Sequence, residues 1–370
     1  MKNILICGVI VLLSLIASGT YQARAQGFDL SKIPPLQDIP LSPADLAAKT
    51  KTVGEEPNND KFLTYTVRIP NNWTKEDLGA GQTGKSLLGD IAHYYGPAAL
   101  DARSHMVIQA TELGYDVTAR NWMLNYILSH GYTMQGMRVI SDKRVESMFI
   151  YLDHDISYVV RSVAEINGAR MILVLYYVPE SRWNLEKGFQ SETIKSFTFT
   201  QPEKARVEAV RNYAFLDLLR FDYPSSWRLQ APNILSTESM SAKIINSNDN
   251  QTLNGQIDVN VVSTELDTTL PEEIKKIQKA MDDRGLVIGK LIEQPKDFKP
   301  QSQVYYSRIE MYQANDKNKE LVDYEYWIAV LIENRYYYIV TMLSPSRTSD
   351  FFVWARNSEA FRTVVESLKP

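Results

Sequence analysis

From residue 63 onward the chain alternates apolar and polar side chains in runs that helical stripes interrupt. Tyr65, Val67 and Ile69 alternate with Thr64, Thr66 and Arg68, the period of a half-buried strand. Residues 106–113 carry a second strand signal. Residues 118–130 change period: Trp122, Met123, Tyr126 and Ile127 form one helical stripe, with Thr118 placed to cap it and Gly131 to end it. Strands are then predicted over 134–140, 145–152, 158–166 and 171–178, followed by a polar helix over about 182–196.

The same order returns further along. Residues 216–223 and 257–262 read as strands, and Thr269-Leu270-Pro271-Glu272 has the spacing of a capping box opening a helix whose apolar side is Ile274, Ile277 and Met281. Strands over 287–292, 304–312, 322–332 and 336–343 precede a last helix containing Phe352, Val353, Phe361, Val364 and Val365. Short turns such as Ile166-Asn167-Gly168 and Glu333-Asn334-Arg335 imply antiparallel hairpins. Three unlike anchors recur in one register. Pro70-Asn71-Asn72-Trp73 returns as Pro224-Ser225-Ser226-Trp227, Thr111-Glu112-Leu113 as Thr264-Glu265-Leu266, and Gly131 as Gly285, at offsets of 154, 153 and 154. That repetition predicts two copies of one domain. The expected class is α+β, with two tandem α/β/α sandwich domains, each a mainly antiparallel sheet with covering helices. They are expected at 61–200 and 213–370, joined by a linker at 201–212.

The opening phrases of the copies, Val67-Arg68-Ile69-Pro70-Asn71-Asn72-Trp73 and Phe221-Asp222-Tyr223-Pro224-Ser225-Ser226-Trp227, resemble the first strand of the Mog/PsbP-like superfamily. In that family a strand ending in Pro-x-x-Trp leads to hairpins, a helix, a long antiparallel meander and a closing helix. The resemblance implies an α/β/α sandwich used mostly as an accessory or binding domain, with no catalytic residues to carry over.

Composition adds a compartment. Residues 1–25 have the parts of a secretory signal: Lys2, the apolar run Ile4 to Ile16, and Ala23-Arg24-Ala25 before Gln26. The run is 13 residues, against about 20 for a spanning helix, so the mature chain is expected to have no transmembrane segment. Cleavage after Ala25 removes the only cysteine, Cys7, and leaves 345 of 370 residues, enough for two ordinary cores. It also removes Lys2 and Arg24, taking net charge from −4 to −6, which gives no electrostatic reason to seek nucleic acid. A bacterial periplasmic location needs fewest assumptions. Residues 26–60, with Pro34, Pro35, Pro40 and Pro43 close together, read as a Pro-rich extended tail.

Candidate chemistry is sparse. Gly79-Ala80-Gly81-Gln82-Thr83-Gly84-Lys85-Ser86 matches the phosphate-binding loop pattern, and Asp153 ends an apolar strand as a metal-positioning partner would. A true loop of this kind leaves a buried strand, yet Thr74-Lys75-Glu76-Asp77-Leu78 precedes it, and the second copy shows no glycine or lysine in the corresponding interval. A flexible glycine-rich loop is therefore favoured over a nucleotide hydrolase using Gly79, Gly84, Lys85, Ser86 and Asp153. Asp153-His154-Asp155 reads as a turn, because no second histidine has ligand spacing to it. No metal or cofactor is expected. Tyr324, Tyr326, Trp327, Tyr336 and Tyr337 put large amphipathic rings on two adjacent strands and are candidates for a partner surface, with core packing as the competing reading. The expected function is non-catalytic binding of protein partners in an envelope complex. A receptor for a small ligand or glycan in the cleft between the copies is the alternative.

Overall fold

The computed structural model describes residues 32–76, 88–98, 102–216, 219–230, 232–247, 253–299, 306–317, 323–333 and 335–369. The chain opens with helix α1 (Pro43–Lys49) and strands β1 (Thr50–Glu55), β2 (Tyr65–Pro70), β3 (Thr74–Glu76), β4 (Gly89–Tyr95) and β5 (His105–Glu112). Helix α2 (Ala119–Ser129) leads into the meander β6 (Thr133–Ser141), β7 (Arg144–Asp153), β8 (Ile156–Asn167) and β9 (Arg170–Pro179), closed by α3 (Glu180–Ser196) and β10 (Thr198–Phe199). The rest follows as β11 (Val210–Phe215), β12 (Leu219–Pro224), β13 (Arg228–Leu229), β14 (Asn233–Ser236), β15 (Ser239–Ser247), β16 (Leu253–Ser263), α4 (Leu270–Asp282), β17 (Leu286–Glu293), β18 (Tyr306–Asp316), β19 (Asp323–Glu333), β20 (Tyr336–Pro345) and α5 (Phe351–Ser367).

Two large antiparallel sheets result. The first runs β3-β4-β5-β9-β8-β7-β6 and the second β13-β15-β16-β20-β19-β18-β17, with β14 beside β15. Local signals set the helix ends. Thr118 Oγ1 accepts from Asn121 N at 3.2 Å, and Thr269 N donates to Glu272 Oε2 at 2.7 Å. Gly131 and Gly285 take φ of 68° and 88°, where a side chain would be strained. The fold is α+β, mainly antiparallel, with five α-helices among the described residues.

Both faces of the first sheet are apolar. Along β9, Leu173 and Leu175 join Phe149, Val160 and the α2 residues Met123 and Ile127, while Ile172, Val174 and Tyr176 pack with Ile194, Phe197 and the small sheet β1-β2-β10. The second sheet divides in the same way. Trp327, Val340 and Met342 face α5, whereas Tyr326, Ile328 and Ile339 face the amphipathic α4, which buries no residue fully. The α2 side of the first sheet and the α5 side of the second belong to one continuous core. Tyr115 and Phe352 cross it edge to face at 5.0 Å.

Trp73 and Trp227 are 4% and 3% exposed, so the tryptophan of each Pro-x-x-Trp phrase is part of a core. Two expectations are corrected. The described part of residues 26–60 is not a free tail, because β1 pairs with β2 in continuous antiparallel register and Leu36 is buried. The second half opens at Val210, inside the stretch expected to be linker, where β11 pairs with β12.

The buried Leu36 predicts a stability cost far from any large sheet centre. Leu36→Ala should lower unfolding free energy by about 2 kcal/mol, the low end for a buried leucine beside a sheet edge. Urea denaturation measures it, and an unchanged midpoint would show that this segment is not docked.

Candidate functional site

Two grooves hold the unusual polar chemistry. The first lies between the edge strand β6, strand β8 and helix α3, and residues 34–41 fill it. Met137 N donates to Pro34 O at 2.9 Å and Leu36 N to Met137 O at 3.2 Å, so Pro35 and Met137 form a parallel bridge. Gly136 permits this approach, since a Cβ there would stand 3.3 Å from Pro34 O. Below the segment is Arg161, 1% exposed, whose Nη1 donates to Gln37 O at 3.1 Å. Asp38 bridges to Arg138 at 2.6 Å and to Lys195 at 3.1 Å, and Arg138 reaches Glu146 at 2.6 Å. Burial opposes the Asp38 charge, but these two cations outweigh it and hold its carboxyl below the usual range. Burial pushes the Arg161 guanidinium pKa down despite Glu146, 3.6 Å away.

The second groove is a cavity of about 770 Å³ between the halves. Thr118, Arg120 and Val139 contribute one wall; Ile292, Trp327, Arg347 and Glu359 are among the residues opposite. Its floor is a closed network around Glu325, 2% exposed. That carboxylate accepts from Trp354 Nε1 at 2.8 Å, Trp327 Nε1 at 3.1 Å, and Arg347 Nε and Nη2 at 2.7 and 3.1 Å. Arg347 also lies over the Trp354 ring, 4.5 Å from its centroid. Burial works against the Arg347 charge, yet the Glu325 bonds win and raise its pKa. Arg120 differs, because burial lowers its pKa and, among the described residues, no carboxylate lies within ion-pair distance.

Glu359, on α5, has a strongly raised pKa. Burial pushes it up to about 7; Arg362 pulls the other way, while Asp142, Asp116 and Glu366 add to the rise. Asp142 and Asp116 come from the first half, so this titration bears on how the halves meet.

The residues singled out from sequence are scattered. Gly79, Gly84, Lys85 and Ser86 lie outside the described residues. Strand β3, shortly before them, is fully exposed at a sheet edge, and four strands separate it from β7, where Asp153 ends the strand beside an exposed His154. Tyr326 and Trp327 are 1% and 2% exposed, which corrects their assignment to a partner surface: both faces of β19 are covered. Tyr324 and Tyr337 pack partly against the α4-side core and Tyr336 against the central core, so these rings form no single patch. Sequence reasoning missed Arg120, Arg161, Glu325, Arg347 and Glu359. The only linear hint was the apolar-polar spacing of Leu36, Asp38, Ile39 and Leu41 within the proline-rich segment.

Neither a protein-family model nor a curated protein sequence matches the chain. Among solved structures it is similar to the solution structure of cyanobacterial PsbP (CyanoP) from Synechocystis sp. PCC 6803, at 14% identity and a TM-score of 0.31 over 41% of this chain and 93% of that one. It is also similar to the apo structure of the immunity protein TplEi of the T6SS from Pseudomonas aeruginosa, at 10% identity and a TM-score of 0.20 over 82% of this chain and 94% of that one. Among the described residues no helix is long and apolar enough to cross a membrane.

The raised Glu359 pKa gives a signed pH dependence. Folding favours the protonated acid, so stability is lost as pH rises from about 4.5 to about 7 and is level above. Glu359→Gln should change little at pH 4 and stabilise the protein at pH 8 by roughly 3 kcal/mol at most. Urea unfolding at both pH values checks this; equal effects at the two would remove the cause assigned here.

Proposed function

We propose that the chain is an exported, non-catalytic binding protein of two tandem PsbP-like domains, working as a protein-binding accessory or assembly component of a bacterial envelope complex, most simply in the periplasm. The tandem reading is supported by the matching strand orders of the two sheets. It is supported further by the closing helices, each of 17 residues, whose final serines accept from the backbone of β2 and β12: Arg68 N to Ser196 Oγ and Asp222 N to Ser367 Oγ, both at 2.8 Å. The signal-like first 25 residues support export.

One observation carries the binding reading. The fold already holds an extended chain segment, residues 34–41, by backbone pairing to an edge strand and by charge pairing through Asp38. Backbone pairing gives affinity and side-chain pockets give selectivity, the physics of strand addition to a sheet edge. The other large edge, β17, leaves Val287, Leu291 and Ile292 between 37% and 48% exposed. Such an edge is a template for another chain.

A photo-crosslinking residue at Leu291, with Leu185 on α3 as the control, tests the proposal in cells. A discrete protein adduct in the envelope fraction is expected from the first position and none from the second. A chain that stays in the cytoplasm, or that yields no adduct, would refute the reading.

A further inference from the structure

The filled groove of the first half and the cavity between the halves occupy matching positions. Gly136 is the fourth residue of β6 and Gly289 the fourth of β17. Tyr158 pairs with Pro179 and Tyr324 with Pro345, which places Arg161 and Trp327 at equal distances along β8 and β19. Gly188, Ser191 and Lys195 stand on α3 where α5 has Glu359, Arg362 and Glu366.

In the first half the N-terminal segment touches all three of these α3 positions. Leu41 packs on Gly188, Ile39 N donates to Ser191 Oγ at 3.3 Å, and Asp38 pairs with Lys195. In the second half, residues following β17 cover only one end: Asp297 pairs with Arg362 at 2.7 Å and Lys299 N donates to Glu366 at 2.9 Å. The other end is open as the cavity, and among the described residues β17 has no strand on its outer edge.

We infer that the open end is a docking groove for an extended segment of a partner protein, which adds to the β17 edge and places a carboxylate against Arg120. This rests on the reading of the protein as a binding protein. Charge selects the occupant. Arg347 is engaged by Glu325 and Glu293 and Arg362 by Asp297, whereas Arg120 lines the cavity with no carboxylate in ion-pair range among the described residues, Glu293 acting on it only from beyond that range. Val139, Ile292 and Phe298 add apolar surface beside it. The segment therefore needs an apolar residue followed at short spacing by a carboxylate, the chemistry that Leu36 and Asp38 bring to the first groove.

The probe is a fluorescent peptide of residues 32–42, titrated by anisotropy into the chain from residue 26 onward. Saturable binding is expected, weakened about tenfold or more by Arg120→Ala in the protein or by Asp38→Ala in the peptide, since each removes one charge-assisted contact. Arg120→Lys should recover part of it, which separates lost charge from lost folding. Absence of binding, or equal affinity for the Arg120→Ala protein, overturns the inference. Loss of binding on Arg138→Ala alone would also overturn it, by showing exchange at the first groove, while leaving the fold's capacity for extended segments intact.

Discussion

Each large sheet is apolar on both faces, and the need to cover four such faces organises the molecule. A strand with buried side chains on both sides is excluded from water throughout, so helices or small sheets must lie over it. The first sheet meets that need with α3 and β1-β2-β10 outside and α2 inside; the second uses α4 outside and α5 and β11-β12 inside. The inner layers merge into one core, which is why the halves meet through α2 and α5. Near the edge strands β6 and β17 this covering thins, and there the filled groove and the larger cavity lie.

The two grooves are floored by opposite solutions to burial. Under the first, Arg161 is a buried cation balanced in part by Glu146 of its own sheet and in part by groups brought by another part of the chain, Gln37 O and Asp38. Under the second, Glu325 is answered wholly from within its own half by Arg347, Trp327 and Trp354. A buried charge deprived of its partner is costly, so the first groove favours being occupied. The second has a satisfied floor and can stay open, with Arg120 on its wall outside ion-pair range of any carboxylate among the described residues.

The meander strands and the helices α2 and α4 were legible because their signals are local: alternation, caps at Thr118 and Thr269, and glycines at 131 and 285. Residues 34–55 were not. Their prolines and polar run Thr50-Lys51-Thr52 carry no period of their own, and the segment takes its shape from β2 and β6, distant in sequence. The cleft was harder still. Arg120 and Glu359 come from different halves, and nothing in their neighbours marks them. Tyr326 and Trp327 misled for a related reason, since alternation reveals that a strand has two faces but not that both are covered.

This fold holds an extended segment by backbone pairing to an outer strand. Hydrogen exchange at Met137 tests it most directly, because that amide donates to Pro34 O at the edge of the first sheet. Strong protection is expected in the intact chain, lost on deletion of residues 33–42 while β8 amides stay protected. Equal Met137 exchange with and without those residues would contradict it.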